Sequence, residues 1–389
     1  MMSFKKLIGK IHLWLGLISG LLVFIIAITG CLYAFKQEIE NVTEPYRFVE
    51  SQNKNFLPPS EIREIADKQL PGKHIHAVLY MGQGESTRAI YYSDEEDYYY
   101  TVYINPYTGE VQKVKDMNSG FFPFILDGHF YLWLPHEIGQ PVVACATLVF
   151  LIMMMSGLYL WWKRKKGTKG QRFKIKWNAR WRRKNYDIHN VLGFYVTSIA
   201  LVFAITGLVW GFEWFAKGYY MVASGGKEYI RYYDPDSDTT ARGHSTDIPA
   251  IDKVWIKMLQ EYPSAEAIEV HIPDNDFSSI AANANPDAST YWKTDFRYFD
   301  QYTLKELSVD HMYGRFEQIS GADKLMRMNY DIHTGAVLGL PGKILAFFAS
   351  LIVASLPVTG FLIWWGRNKK EKKKKPDKIR LKTELQPVC

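Results

Sequence analysis

The sequence predicts an α-helical membrane protein with four transmembrane helices in two parallel repeats, carrying two α+β domains on the outer side. Three observations carry that expectation. Apolar residues gather in four runs, 13–35, 142–162, 191–215 and 344–365, each about 20 residues or longer and so able to cross a hydrocarbon core of about 30 Å. Basic residues gather in the short segments at the start, middle and end of the chain. And the chain contains itself twice.

Composition sets the frame. Of 389 residues, 48% are hydrophobic and 15% aromatic, which excludes a disordered or low-complexity chain. Charged residues make up 22%, yet the mean hydropathy is only −0.16, so the apolar residues must be concentrated in segments. Three cysteines (Cys31, Cys145, Cys389) without a CxxC spacing exclude a disulfide framework and a zinc ribbon.

The first span falls in 1–35. Its Ile28-Thr29-Gly30-Cys31 is similar to a lipoprotein cleavage box, but apolar residues continue to Phe35, so an uncleaved anchor is expected. The outer stretch 36–128 carries 9 basic and 15 acidic residues. A helix is expected over 58–70, strands near 74–82, 87–93 and 98–104, and a closing turn Asn105-Pro106-Tyr107-Thr108-Gly109-Glu110. Segment 129–162 holds an outer histidine stretch and the second span, with Pro135 and Pro141 expected to break the helix between them. The linker 163–186 has 12 Lys and Arg and no acid. The third span lies in 187–215. In the second outer stretch, 216–330, a helix is expected over 249–262, strands near 266–272, 277–283 and 291–299, and a turn over 300–307. Segment 331–365 repeats the histidine stretch and adds the fourth span, with Pro357 as a kink. The tail 366–389 has 10 basic and 3 acidic residues.

The charge distribution orients the chain. Basic short loops stay in the cytoplasm, so the N-terminus, linker and tail are expected inside a bacterial inner membrane and both acidic stretches outside. The linker abuts two spans, so membrane lipid is its expected partner and nucleic acid is not.

The repeat is specific. Ile11-His12 with Gly16, Ala27, Thr29 and Gly30 recurs as Ile188-His189 with Gly193, Ala204, Thr206 and Gly207. Ser156-Gly157-Leu158-Tyr159-Leu160-Trp161-Trp162 is matched by Thr359-Gly360-Phe361-Leu362-Ile363-Trp364-Trp365. His12 and His189 therefore sit at one depth near the inner surface, and His129 and His333 form a second related pair towards the outer one. A two-fold axis along the membrane normal brings each pair together, the geometry a bis-imidazole metal site needs. Haem b suits it best, one per pair and two in all, because its iron takes two axial imidazoles and its ring fits between apolar helices lined by Gly16, Gly20 and Gly193. Zinc lacks an acid or thiol to complete its ligand set. For the outer site, His136 and His311 are rival ligands. Met153-Met154-Met155 reads as gap-filling, and His74, His76, Tyr91-Tyr92 and Tyr98-Tyr99-Tyr100 read as strand residues with a possible outer binding face. No GxGxxG and no Walker A motif is present, so an electron donor must come in trans, a membrane quinol or a cytosolic flavoprotein.

Together, the Ile-His-x3-Gly span with its Thr-Gly end, the Asn-Pro-Tyr-Thr-Gly-Glu turn and the Gly-Leu-Tyr-Leu-Trp-Trp span resemble the PepSY-associated transmembrane family, from Phe4 to about Lys370. The resemblance implies two PepSY-like periplasmic domains, haem b held by His12, His189, His129 and His333, and an oxidoreductase activity releasing iron from ferric siderophores in the periplasm. The second turn, Tyr302-Thr303-Leu304-Lys305, departs from the family pattern in lacking its Gly. A different class of function, in which PepSY-type domains bind or regulate a periplasmic peptidase or another partner without catalysis, accounts for the outer domains and leaves the paired histidines without a role. A transporter subunit is disfavoured, since four spans with no broken polar midplane offer no pathway.

Overall fold

The structure is a computed structural model that describes residues 3–162, 170–242 and 247–373. The linker residues 163–169, the tail beyond 373 and Cys389 lie outside the described residues. The chain divides into two compact units: a helical bundle (the described parts of Met1–Leu32, Asp127–Gly211 and Leu345–Cys389) and a sheet unit (those of Tyr33–Leu126 and Phe212–Ile344).

Along the chain the helices are α1 (Phe4–Tyr33), α2 (Lys36–Thr43), α3 (Pro59–Asp67), α4 (Phe121–Tyr131), α5 (His136–Trp162), α6 (Trp181–Gly211), α7 (Glu213–Ser224), α8 (Ala250–Glu261), α9 (Gly321–Arg327), α10 (Asn329–Thr334) and α11 (Gly339–Lys373). Four of them, α1, α5, α6 and α11, are long and apolar enough to cross a membrane. The bundle packs through small side chains. Ala27, Ala200, Ala204, Ala349 and Ala354 are buried together with Val23, Val196, Val353 and Met154, as expected where close backbone approach replaces the hydrophobic drive between helices.

All four spans begin earlier than the apolar runs. α1 starts at Phe4, α5 at His136, α6 at Trp181 and α11 at Gly339, so the last six residues of the linker, 181–186, are helical. Nothing in 181–190 breaks a helix, and Arg183 donates to Asp187 one turn on (Nε–Oδ2 2.9 Å). The expected break at Pro141 is absent, and Pro141 lies inside α5. Near the helix start it forgoes only the bond to the carbonyl of Glu137. The chain reverses instead over 132–135, where Leu132 and Trp133 adopt φ of 56° and 58°. Gly128 permits this turn: a Cβ there would lie 2.3 Å from Trp133 Cζ2, so the indole folds back over bare backbone.

The sheet unit holds one eight-stranded antiparallel sheet rather than two separate domains. Its strands are β1 (Ala77–Tyr80), β2 (Thr87–Ser93), β3 (Tyr98–Ile104), β4 (Val111–Asp116), β5 (Ala267–His271), β6 (Ile280–Asn285), β7 (Asp295–Phe299) and β8 (Glu306–Leu307), in the order β4-β3-β2-β1-β5-β6-β7-β8. The join is β1 with β5, Val78 opposite Val270 and Tyr80 opposite Ile268. Left apart, β1 and β5 would each expose an edge, and pairing them removes both. α3 and α8 cover one face and share one core: Ile62 and Ala66 of α3, Val254 and Met258 of α8, and Val78, Tyr91, Val270, Ile280 and Phe299 of the sheet. Ser60 ties the helices together, donating to Asp252 from its N–H (2.9 Å) and Oγ (2.6 Å).

Neither expected closing turn ends its half, since β4 and β8 follow. The turns themselves are alike despite the missing glycine. Gly109 N donates to Asn105 O and Asn105 N to Glu110 O; likewise Leu304 N donates to Asp300 O and Asp300 N to Lys305 O. Gly109 has φ 75° and Leu304 φ 57°, so the leucine holds the left-handed conformation that glycine takes without cost.

Because one core serves both halves of the sheet, Met258→Ala should destabilise it by about 2–5 kcal/mol and open both halves to protease together. Cleavage confined to the Phe212–Ile344 part would show that the halves unfold separately.

Candidate functional site

A cavity of about 530 Å³ lies inside the bundle, within the range of small-molecule sites. All four spans line it: α1 through Gly9, His12, Gly16 and Gly20, α5 through Phe150, Met153, Gly157 and Trp161, α6 through His189, Gly193 and Phe194, and α11 through Leu356, Pro357, Gly360 and Phe361. Residues four apart on one helix share a face, so the His12–Gly16–Gly20 spacing and its repeat at His189–Gly193 put an imidazole beside a bare stretch of helix.

Each histidine has a seat on a neighbouring helix. His12 Nδ1 is 2.9 Å from Ser156 Oγ, and a Cβ on Gly157 would come within 3.1 Å of its Cε1. His189 Nδ1 is 2.9 Å from Thr359 Oγ1, and a Cβ on Gly360 would come within 3.3 Å of its Cε1. The glycine gives room for the ring and the hydroxyl orients it.

Those hydroxyls also decide the tautomer. A hydroxyl has one proton to give. Ser156 Oγ gives it to Met153 O (2.9 Å), and Thr359 Oγ1 to Ser355 O (2.9 Å), each within its own helix. Towards the imidazole each oxygen can only accept. With each oxygen accepting, His12 and His189 are assigned the proton on Nδ1 and the lone pair on Nε2, for which no partner is found among the described residues. Neutral imidazole with Nδ1–H held by oxygen is the form in which histidine binds a metal through Nε2. A further group in the wall lacks a partner: Trp161 Nε1–H is buried without a hydrogen bond, its indole stacked 3.9 Å from the Phe194 ring. Among the described residues no three His, Cys, Asp or Glu gather as a metal cluster, so the donor set of this cavity is two imidazoles.

The other expected ligands are placed as follows. His129, on α4, belongs to the bundle and packs on the C-terminal end of α1. Its Nδ1 lies 2.9 Å from Ile26 O and 3.1 Å from Thr29 Oγ1, and its Cε1 sits over Gly30. Thr29 gives its own proton to Ile25 O (2.7 Å), so His129 too is protonated on Nδ1. His333, on α10, belongs to the sheet unit and is half-buried. Asp331 beside it is occupied elsewhere, accepting from the backbone N–H of Tyr291 and Trp292. The rival His136 is exposed at the start of α5, its ring 4.7 Å from that of Tyr131. The rival His311 is buried with both nitrogens engaged, Nε2 donating to Tyr233 O (2.9 Å) and Nδ1 accepting from Tyr313 N (3.1 Å), which leaves it no donor for a metal. Of the methionine triplet, Met154 fills the bundle core while Met153 reaches the cavity. Tyr91 and Tyr98 are core residues of the sheet.

A family profile described as PepSY-associated TM region matches residues 10–367. The chain belongs to that family. No curated protein matches it in sequence. The family match spans both units, so this PepSY-associated protein carries its sheet unit and its histidine-lined bundle as parts of one described region.

Sequence reading missed a polar group where β1 meets β5. His271 lies beside Glu269 (Nε2–Oε2 3.5 Å) and Asn283 (3.2 Å), with the His76 ring 4.8 Å away. Burial works against charge on His271, but the Glu269 carboxylate outweighs it and raises the imidazole pKa. Glu269 is held below its usual range despite burial by the charge and hydrogen bond of His271.

Two outcomes follow for this PepSY-associated protein. A raised histidine stabilises the fold below its unfolded pKa near 6.5 and loses that contribution as pH rises through the folded value. The melting temperature of the sheet unit should therefore fall as pH rises above about 6.5, more in wild type than in Glu269→Gln; parallel profiles would refute the coupling. In the bundle, Thr359→Val removes the acceptor for His189 Nδ1–H and should cost about 1–3 kcal/mol. Nitrogen-15 spectra of histidine-labelled protein should then show a tautomer mixture at His189, and a single retained Nδ1–H form would refute the seat.

Proposed function

We propose that this protein is a di-haem electron-transfer protein of the bacterial inner membrane that reduces ferric siderophores on the periplasmic side and releases Fe(II). The observation that carries the reading is the bundle cavity shared by His12 and His189, each with Nδ1–H held by a hydroxyl and Nε2 left to bind. The residues present fit haem b. His12 and His189 would hold the iron through Nε2, Gly16, Gly20 and Gly193 leave space for a flat ring, and Phe150, Leu356 and Phe361 supply apolar walls. Lys5 and Lys6, where α1 begins, are suited to the ring's carboxylates, and the unpartnered Trp161 N–H offers a further donor.

When bound, haem supplies a one-electron Fe(III)/Fe(II) couple that the side chains alone lack. Ser156 and Thr359 fix the imidazole planes and keep Nδ1 protonated. The leucine and aromatic walls would exclude water and hold the dielectric low around such a group, tuning its potential. The second haem rests on the sequence repeat, which pairs His129 with His333, and the Thr29–Gly30 seat of His129 supports that ligand. Ligands for two such groups, one pair near each surface, would divide a membrane of about 30 Å into shorter distances for an electron. On the substrate, one electron converts Fe(III) to Fe(II), and hard-oxygen chelators hold the less charged ion less tightly.

Charge supports the direction. The basic N-terminus, linker and tail favour the cytoplasmic side, where a quinol or cytosolic flavoprotein would deliver electrons in trans, and the acidic sheet unit favours the periplasm. The paired Ser/Thr–Gly seats, the two matching turns and the palindromic strand order support two parallel repeats, each contributing one PepSY-like half.

Purified protein should show reduced haem bands with dithionite, and His12→Ala and His189→Ala should each lose one haem while still inserting. Proteoliposomes holding an internal reductant should reduce an external ferric chelate, and either variant should abolish this. A colourless wild-type protein would overturn the reading in favour of partner binding by the PepSY-type halves.

A further inference from the structure

A second cavity in the bundle, of about 410 Å³, lies between the start of α6 and the end of α11. It is lined by Arg182, Arg183, Arg367 and Lys369, with Trp181 and Trp365 beside them and Leu362 and Ile363 as an apolar wall. Arg183 is neutralised by Asp187. Arg182 and Arg367 have no carboxylate partner among the described residues, and the Lys369 ammonium rests 4.0 Å over the Trp365 ring. Unpaired guanidinium groups gathered at one cavity favour an anion, and guanidinium matches phosphate oxygens two at a time. The first N–H groups of a 31-residue helix add to the attraction. A separate signal lies in the lining: Asn185 is nine-tenths buried, donates Nδ2 to Thr359 O (3.0 Å) and leaves Oδ1 without a partner, an acceptor suited to a hydroxyl of a headgroup rather than to its phosphate.

We propose that this cavity is a specific site for the headgroup of an anionic glycerophospholipid, its phosphate held by Arg182, Arg367 and Lys369. A membrane lipid is favoured over a soluble phosphate because of the surroundings. The cavity sits at the ends of two spans, Trp181 and Trp365 are 62% and 48% exposed as headgroup-level aromatics are, and Leu362 and Ile363 continue the site along the face of a membrane helix. Basic pockets between membrane helices recognise such headgroups. The site does not depend on the reductase reading, and it differs from diffuse attraction to the basic linker because it requires particular side chains.

The test is lipid retention by the full-length protein, delipidated in detergent and offered phosphatidylglycerol and phosphatidylcholine in equal amounts, with bound lipid counted by native mass spectrometry. Wild type should retain phosphatidylglycerol roughly tenfold over phosphatidylcholine, and Arg182→Gln/Lys369→Gln should lose most of that preference, as expected when charge-assisted phosphate contacts are removed. Arg180→Gln, outside the lining, should keep it. Equal retention of the two lipids by wild type overturns the site whether or not the variants fold. Equal loss in Arg180→Gln reduces it to general surface charge, which also overturns it. Displacement of phosphatidylglycerol by millimolar inorganic phosphate would assign the cavity to a soluble anion and reject the lipid.

Discussion

The bundle depends on where a hydroxyl sends its only proton. Inside a bilayer no water competes for it, and the nearest acceptor is a carbonyl one turn back in the same helix. Once Ser156, Thr359 and Thr29 have given their protons to Met153, Ser355 and Ile25, each oxygen can only accept, and the facing imidazole must donate. A local habit of serine and threonine in helices thus orients histidines a hundred or more residues away. The adjacent glycine does the steric half of the work, since any side chain there would press on the ring.

Much of this was legible in the chain. The four spans followed from hydropathy, the pairing of His12 with His189 from the repeat, and α3 and α8 from their amphipathic pattern. The seats were visible too, as Ser156-Gly157, Thr359-Gly360 and Thr29-Gly30, but they stood out as marks of repetition. Nothing local says that a Thr-Gly pair on one helix faces a histidine on another, because that contact is made by packing. His311 misled in the opposite way. Its position was unusual, but the backbone of Tyr233 and Tyr313 uses both its nitrogens, and no sequence signal records a backbone partner.

The sheet unit shows a similar limit. Alternation located β2 and β3 to the residue, yet each half read as complete, because a strand looks the same from sequence whether its neighbour comes from its own half or the other. The decision is made at β1 and β5, too short to stand as free edges and apolar enough to pair. The turn at Leu304 shows the converse. Sequence marked it as a departure, but the hydrogen bonds around it and the packing of its side chain against the shared core hold the backbone in the shape that glycine gives the first copy.

The seats also carry a rule for construction. A helix bearing Ser-Gly or Thr-Gly, set against a helix bearing His, presents an imidazole oriented through Nδ1 without a carboxylate partner. Builders of membrane proteins usually orient a ligand histidine with a second polar residue that itself needs a partner, and the list of dependents grows. Here that list closes after one residue, because the helix backbone is the final acceptor. Two residues on one helix and one on its neighbour make a self-contained part that could be copied into a bundle of any topology.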